Sequence, residues 1–388
     1  MTPAARYASA IAVLDDVLAG ASVEKCLTSW ARANRYAGSK DRAAVRDHVF
    51  DVLRRKRSLA ALGGGMSGRS LILGLLRHQG IDHKEVFGAG GYAPHALTDE
   101  ELGGGDATFA PAVANDLPDW LWPMWEADLG DRAVRSAQAL QDRGPVTLRV
   151  NLRRGTREAA IAKLQEDGII SIPIGDVKTA LQVIENERRI HLSNAFLDGF
   201  VDLQDLASQE AIAVLDLSPD ARVLDYCAGG GGKALAIADM YGCSITAHDI
   251  SVARMADIPL RAARAKVEIA VLNTDALGDA EPFDVVFVDA PCSGSGTWRR
   301  APEAKWSISS EKLSDYSKLQ REVLENAVAM VRPNGRIIYA TCSVLKAENS
   351  RVVDRFVKDF PEWKLVSDHQ RHPDQFGDGF YYADIHRA

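Results

Sequence analysis

The chain has 388 residues, of which 46% are hydrophobic and 26% charged, and it carries a formal net charge of −7 with a pI near 5.8. That apolar content is enough for two or three globular domains, and the acidic balance excludes a protein coated in basic surface for bulk nucleic-acid binding. No run approaches the roughly 18 uncharged apolar residues of a membrane helix, and Met1 to Ala10 lacks the charged-then-apolar layout of a secretory signal; no membrane partner and a cytoplasmic location are the expectation.

Apolar residues at helical spacing over Ala4 to Leu18 and Ala43 to Leu62, with abundant alanine, predict an α-helical N-terminal unit. Gly88 to Gly105 holds six glycines and one proline and reads as a loop or boundary. Pro118 to Trp125 carries three tryptophans, and Asp131 to Gln141 is helical again. Then the period changes. Val146 to Leu152 and Gly168 to Pro173 alternate as strands around a helical segment from Arg157 to Asp167, and Leu181 to Leu192 adds extended pieces, which together make a small α/β unit. Two basic clusters stand out: Arg54, Arg55, Lys56 and Arg57, and then Arg143, Arg149, Arg153, Arg154 and Arg157. Each reads first as a solvated face and second as a local patch for RNA. There is no internal repeat.

From Ala221 strand and helix alternate: strand Ala221 to Tyr226, helix Lys233 to Met240, strand Ser244 to Ala247, helix Val252 to Ala265, strand Val267 to Leu272, then strands Phe283 to Val288 and Arg336 to Ala340. This is the pattern of an α/β fold with a doubly wound parallel sheet. Lys346 to Phe360 follows as an amphipathic helix, and Gly379 to His386 as a closing strand at the sheet edge. The expected division is a helical part over 1–140, a small α/β part over 141–205 and the large sheet over 206–388.

The first strand of that sheet runs into Cys227, Ala228, Gly229, Gly230, Gly231, Gly232 and Lys233 and then a helix. Glycines there let a backbone close up to a ligand at a helix N-terminus, although a plain glycine-rich turn has the same composition. It is not a phosphate-cradling Walker loop, since Cys227 stands where the first glycine is required and Ala234 where Ser or Thr is. Asp249 ends the second strand and Asp275 follows the third. A carboxylate at the second strand can accept both ribose hydroxyl hydrogens, and the next can help hold an adenine end. Singly these are loop or cap residues; together with the glycine loop they point to a nucleoside-containing cofactor.

Five cysteines, Cys26, Cys227, Cys243, Cys292 and Cys342, form an odd set with no CxxC pair and no metal-ligand spacing. Free thiols fit better than disulfides or zinc, and no metal is expected. Cys227 and Cys243 read as core residues. Cys292 and Cys342 each sit just past an apolar strand, and adjacent parallel strands would deliver both to the carboxyl edge of the sheet, where ligands bind. A lone cysteine packs as a small hydrophobe; two at neighbouring strand ends indicate thiolate chemistry.

The run from Asp289, Ala290, Pro291 and Cys292 through Thr297 to Arg300, Pro302, Glu303, Lys305 and Trp306 resembles the fourth motif of the Sun/Nop family of RNA (cytosine-5) methyltransferases. Tyr339 to Leu345, with Thr341, Cys342 and Ser343 at its centre, resembles the sixth. The likeness is strongest to the bacterial small-subunit (16S) ribosomal RNA branch. It extends to Gly199 through Gln209 and Thr147 through Asn151, and is looser over the helical N-terminus, which is similar to the RNA-binding NusB-like domain of some members.

That resemblance implies a class I (Rossmann-like) methyltransferase domain preceded by an RRM-like unit and a NusB-like one. It implies S-adenosyl-L-methionine held by Cys227, Ala228, Gly229, Gly230, Gly231, Gly232 and Lys233, with Asp249 on the ribose, Asp275 near the adenine and Asp289 beside them. It makes Cys342 the nucleophile, Asp289 the hydrogen-bonding partner of the cytosine ring near N3, and Cys292 the aid to product release. The chemistry demands such a thiol, because C5 of cytosine becomes nucleophilic only after addition at C6. Where most members read Cys-Ala-Ala-Pro-Gly-Gly-Lys-Thr, this chain lacks the proline, which adds backbone freedom worth up to about 1 kcal/mol and weakens cofactor affinity.

The implied partner is RNA, ribosomal rather than transfer RNA, bound by a monomer, with no role for DNA. A DNA cytosine-5 methyltransferase would attack with Cys292, and a non-catalytic RNA-binding or ribosome-assembly factor would not need Asp289, Cys292 and Cys342 intact. Lys233 reads equally as a helix-start surface residue or a site contact, Lys305 as solvated, and Trp298 and Trp306 as packing aromatics or as platforms beside an extruded base.

Overall fold

The computed structural model describes residues 1–105 and 108–387. The chain forms two compact units: Met1–Arg143 with Trp298–Ser307, and Gly144–Thr297 with Ile308–Ala388. Among the described residues no single helix is long and apolar enough to cross a membrane.

The first unit is helical. Its main helices are Pro3–Leu18, Val23–Ala33, Ser39–Arg54, Lys56–Gly63 and Gly68–Gln79, and their inner faces bury Leu14, Val45, Val49, Leu59, Leu71 and Leu75. The segment expected as one helix over Ala43 to Leu62 is broken at Arg55, where φ is −116° and ψ 29°. A new helix start needs acceptors for its free N–H groups. Asp116 provides them, accepting from the backbone of Arg57 at 2.8 Å and Ser58 at 2.9 Å and from the Ser58 hydroxyl at 2.7 Å. Within Gly88 to Gly105, expected as loop, a short helix Asp99–Gly103 forms behind a Thr98–Glu101 capping box.

The first basic cluster is spent inside this unit and is not a solvated face. Arg54 is buried and donates to the carbonyl of Arg299 at 2.7 Å and to Asp51 at 2.9 Å. Arg55 pairs with Asp142 and Arg57 with Asp119. Lys305, expected to be solvated, is buried and donates to the carbonyl of Arg54 at 2.9 Å; burial pulls its ammonium down to about 8. Trp298 is buried and stacks on Trp125 with ring centroids 6.1 Å apart, and the Trp306 indole donates to the Leu53 carbonyl at 2.7 Å. Both tryptophans therefore pack.

The second unit holds two sheets. The smaller contains β1 (Val146–Val150), β2 (Ile170–Pro173), β3 (Ala180–Glu185) and β4 (Val201–Leu203) in the order β2-β3-β1-β4, all antiparallel. Leu148 lies opposite Leu181 and Leu203, and with Val150, Leu164 and Phe196 forms its core. The expected extended run to Leu192 stops at Glu185, because Asn186 turns the chain at φ +63° into the 3₁₀ turn Glu187–Leu192. Arg149 of β1, from the second basic cluster, is buried and ion-paired with Asp239 instead of being presented outward.

The larger sheet contains β5 (Arg222–Asp225), β6 (Ser244–His248), β7 (Ala270–Leu272), β8 (Phe283–Asp289), β9 (Val331–Thr341), β10 (Trp363–Arg371) and β11 (Phe380–Arg387), ordered β10-β11-β9-β8-β5-β6-β7. The five strands from β7 to β9 are parallel, and the order reverses between β5 and β8, the switch point at which a crevice opens past the strand ends. Two expectations are corrected. The strand at 380–387 is interior, paired with both β9 and β10. The edge is β10, whose largely exposed, polar sequence hides it. The helix expected over Val252 to Ala265 is a 3₁₀ turn Val252–Met255 followed by Ile258–Ala265, with Pro259 placed in its first turn, where a missing N–H costs nothing. Helix Ser310–Val328 is an element absent from the sequence reading.

Candidate functional site

The carboxyl ends of β5, β8 and β9 bring four side chains into one place. After β5, the chain turns through Gly229 at φ +52° and Gly231 at φ +76°, conformations that suit glycine, and enters helix Gly232–Tyr241. The Ala228 N–H donates to the His248 carbonyl at 2.8 Å, so the turn is stitched to the end of β6.

Asp249 follows β6 and is buried. Its carboxylate accepts the Gly229 N–H and the Ser251 N–H, both at 2.9 Å, and pairs with Arg254 at 3.1 Å. It shapes the glycine turn from below while keeping unused lone-pair directions. Asp275 lies in the short helix Thr274–Leu277 past β7, exposed on the same sheet edge.

Asp225, the last residue of β5, was not singled out in the sequence. It is fully buried, one carboxylate oxygen accepts the Ala234 N–H at 3.0 Å, and the other, Oδ1, has no hydrogen-bond partner. Burial, reinforced by the nearby Asp289 charge, pushes its carboxyl up to about 7. An acidic residue closing a strand before a glycine turn was the available signal. Cys243 is a core residue as expected, whereas Cys227 is only half-buried past the end of β5, with burial raising its thiol.

Lys233, the second residue of the helix, forms an ion pair with Asp289 at the end of β8. Burial lowers the ammonium, but Asp289 outweighs it and the net direction is upward, so Lys233 is charged. Cys292 and Cys342 meet beyond it with their sulfurs 3.3 Å apart. The parallel register sets Asp289 opposite Ala340, the Ala290 N–H donates to the Ala340 carbonyl at 2.9 Å, and the Gly296 N–H donates to the Cys342 carbonyl at 2.9 Å.

One proton between two close sulfurs splits their acidities. The Cys292 hydrogen bond lowers the Cys342 thiol against the effect of burial, and the Lys233 charge and the Thr297 hydroxyl act in the same direction. Cys292 moves the other way: donating to Cys342 raises it, and burial adds to that. Both directions favour the thiolate form at 342 over that at 292. Thr297, whose hydroxyl lies 4.0 Å from the Cys342 sulfur, is a further member that the sequence reading did not pick out.

Comparison with known proteins gives the chain relatives. The model for 16S rRNA methyltransferases RsmB/F matches residues 212–385, and that for the ferredoxin-like domain of RsmF/B-like methyltransferases matches residues 117–190. The ribosomal RNA small subunit methyltransferase B of Xylella fastidiosa (strain Temecula1) is 34% identical over 295 residues, 71% of this chain and 68% of that protein. The protein of the same name from Vibrio cholerae is 30% identical over 298 residues, 74% of this chain and 68% of its own. A methyltransferase homologue from Pyrococcus horikoshii shares the fold, with a TM-score of 0.63 at 22% identity over 72% of this chain and 100% of that one.

Proposed function

The chain belongs to the RsmB/F family of 16S ribosomal RNA methyltransferases, and on that premise we propose that it methylates C5 of a cytidine in small-subunit ribosomal RNA through a covalent adduct on Cys342. The enzyme is an S-adenosylmethionine-dependent RNA methyltransferase, as its family is. The cofactor supplies, when bound, the electrophilic methyl group that C5 takes up. The glycine turn suits it: Asp225 Oδ1 is a buried acceptor without a partner, and a Cβ at Gly232 would meet nothing within 4 Å. Cys227 to Lys233, with Asp249 and Asp275, are the residues assigned to hold it.

Cys342 acts first. Its thiolate forms a bond to C6 of the extruded base, and the C5–C6 electron pair moves toward C5 and the N3 side of the ring. Asp289 accepts a hydrogen bond from the ring N3–H, whose proton N3 gains from solvent as the adduct forms, and so favours that adduct, while Lys233 holds Asp289 in place. After C5 has gained its methyl group, the C5 proton must leave. Once the Cys342 sulfur is a neutral thioether, the largest of the interactions that raised Cys292 is gone, so Cys292 gives up its own proton to solvent and, as a thiolate, takes the C5 proton. Loss of the proton re-forms the C5–C6 double bond as the C6–S bond breaks, returning the thiolate. In this reading the helical N-terminal part over 1–140 and the small α/β part over 141–205 bind RNA.

The observation that carries the proposal is the 3.3 Å sulfur pair next to the Lys233–Asp289 ion pair. Bisulfite sequencing of total RNA from cells with and without the protein tests it. One protected cytidine in small-subunit ribosomal RNA is expected to disappear; a lost site confined to transfer RNA, or no lost site, would overturn it.

A further inference from the structure

Beyond the direct hydrogen bonds between their loops, the two thiols 3.3 Å apart have their loops tied to one buried carboxylate. Glu348 is fully buried just before helix Ser350–Asp359 and accepts four hydrogen bonds. One oxygen accepts the Ser293 N–H at 2.7 Å and the Gln320 amide at 3.1 Å. The other accepts the Ser293 hydroxyl at 2.5 Å and the Ser343 hydroxyl at 2.6 Å. Ser293 follows Cys292 and Ser343 follows Cys342, so one carboxylate joins the neighbours of both thiols. Gln320 completes the brace by donating to the carbonyl of Pro291, on the other side of Cys292, at 2.9 Å.

We propose that Glu348 is a positioning residue for the reaction above, its carboxylate clamping the Cys292 and Cys342 loops so that base and nucleophile share one site. A carboxylate suits this place because it offers only acceptors to four donors. An apolar residue there would remove all four of these hydrogen bonds, two of them from Ser293 and one from Ser343, and free both loops to relax. The Glu348 charge also adds to the causes that keep Cys292 protonated while Cys342 is free. The catalytic consequence rests on the proposed function; the clamp itself does not, and the two can be read separately.

The test uses the sulfurs as their own ruler. With diamide as oxidant, the two thiols give up two protons and two electrons to it and form one S–S bond, which peptide mapping locates between Cys292 and Cys342. Wild type is expected to cross-link fastest. Glu348→Ala should slow cross-linking about ten-fold or more and lower kcat about 100-fold at unchanged KM, since the cost is misplacement of reacting atoms. Glu348→Gln should stay within about three-fold of wild type in cross-linking, because the serine hydroxyls can turn to accept from its amide. Folded Glu348→Ala protein that cross-links at the wild-type rate overturns the proposal. Should that variant not fold, the Ser293→Ala/Ser343→Ala pair carries the same expectation and the same overturning result. Wild-type cross-linking with no methyl transfer to any RNA would instead count against the proposed function and leave the clamp standing.

Discussion

The sulfurs of Cys292 and Cys342 lie 3.3 Å apart although fifty positions separate them in the chain. Two thiols that close cannot be functionally independent, because the state of one sets the proton affinity of the other. Replacing each should therefore stop the reaction at a different stage. Cys342→Ala is expected to abolish methyl transfer, with product below about 10⁻³ of wild type. Cys292→Ala should still form the bond to RNA but fail to release it, so that a denaturant-stable protein–RNA band builds up on a gel. Full turnover in the first variant would remove the mechanism, and an adduct in neither would remove the division of roles.

Lys233 and Asp289 pull the Cys342 thiol in opposite directions, and this gives a test with two signs. The Lys233 charge favours the thiolate and the Asp289 charge opposes it. In Lys233→Met the pH midpoint for iodoacetamide labelling of Cys342, followed by peptide mass, is expected to move up. In Asp289→Asn it should move down. Methyl transfer should nevertheless fall in both, by about 100-fold, since Asp289 is assigned to the ring and not to the thiol. An Asp289→Asn enzyme with faster labelling and undiminished turnover would contradict that assignment.

Asp225 provides a stability signature. Its carboxyl, raised to about 7 when folded, would ionise near 3.9 in the unfolded chain. Between those values the folded state keeps a proton the unfolded state has lost, so this group's contribution falls as pH rises from about 4 to about 7 and stays low above that. The full penalty is on the order of a few kcal/mol. Asp225→Asn escapes it. Its melting temperature is expected to match wild type near pH 4 and to exceed it by roughly 5–10 °C at pH 8. A gap that does not change with pH would show that Asp225 is not the titrating group.

How far the sequence carried the reading depended on the range of the interactions involved. The strand–helix alternation from Ala221 onward is local, and it placed Cys292, Cys342, Asp249 and Asp275 at one sheet edge because every parallel strand ends on the same side. The break at Arg55 was hidden, since the carboxylate that starts the next helix, Asp116, is about sixty residues away. Lys305 looked solvated for the same reason: its acceptor, the Arg54 carbonyl, is 251 positions off. Helix Ser310–Val328 escaped because its inner face is interrupted by Gln320, a polar residue buried to hold Pro291 and Glu348. Polar residues spent on long-range contacts weaken the periodic signals that make an element visible.

Arg149 makes the same point in a form that can be measured. It belongs to a basic cluster that reads as an RNA-facing patch, yet its side chain is buried in an ion pair with Asp239. Removing one partner strands the other charge in the core, which costs about 3–5 kcal/mol. Arg149→Ala is therefore expected to lower the melting temperature strongly, and Asp239→Asn to do the same. An arginine that neutralised a phosphate would behave otherwise, since its loss would reduce the slope of log affinity against log salt by about 1. For Arg149→Ala, measured below its melting transition, that slope should equal the wild-type value. A stable variant with a reduced slope would return Arg149 to the RNA surface and require the Asp239 pair to be dispensable.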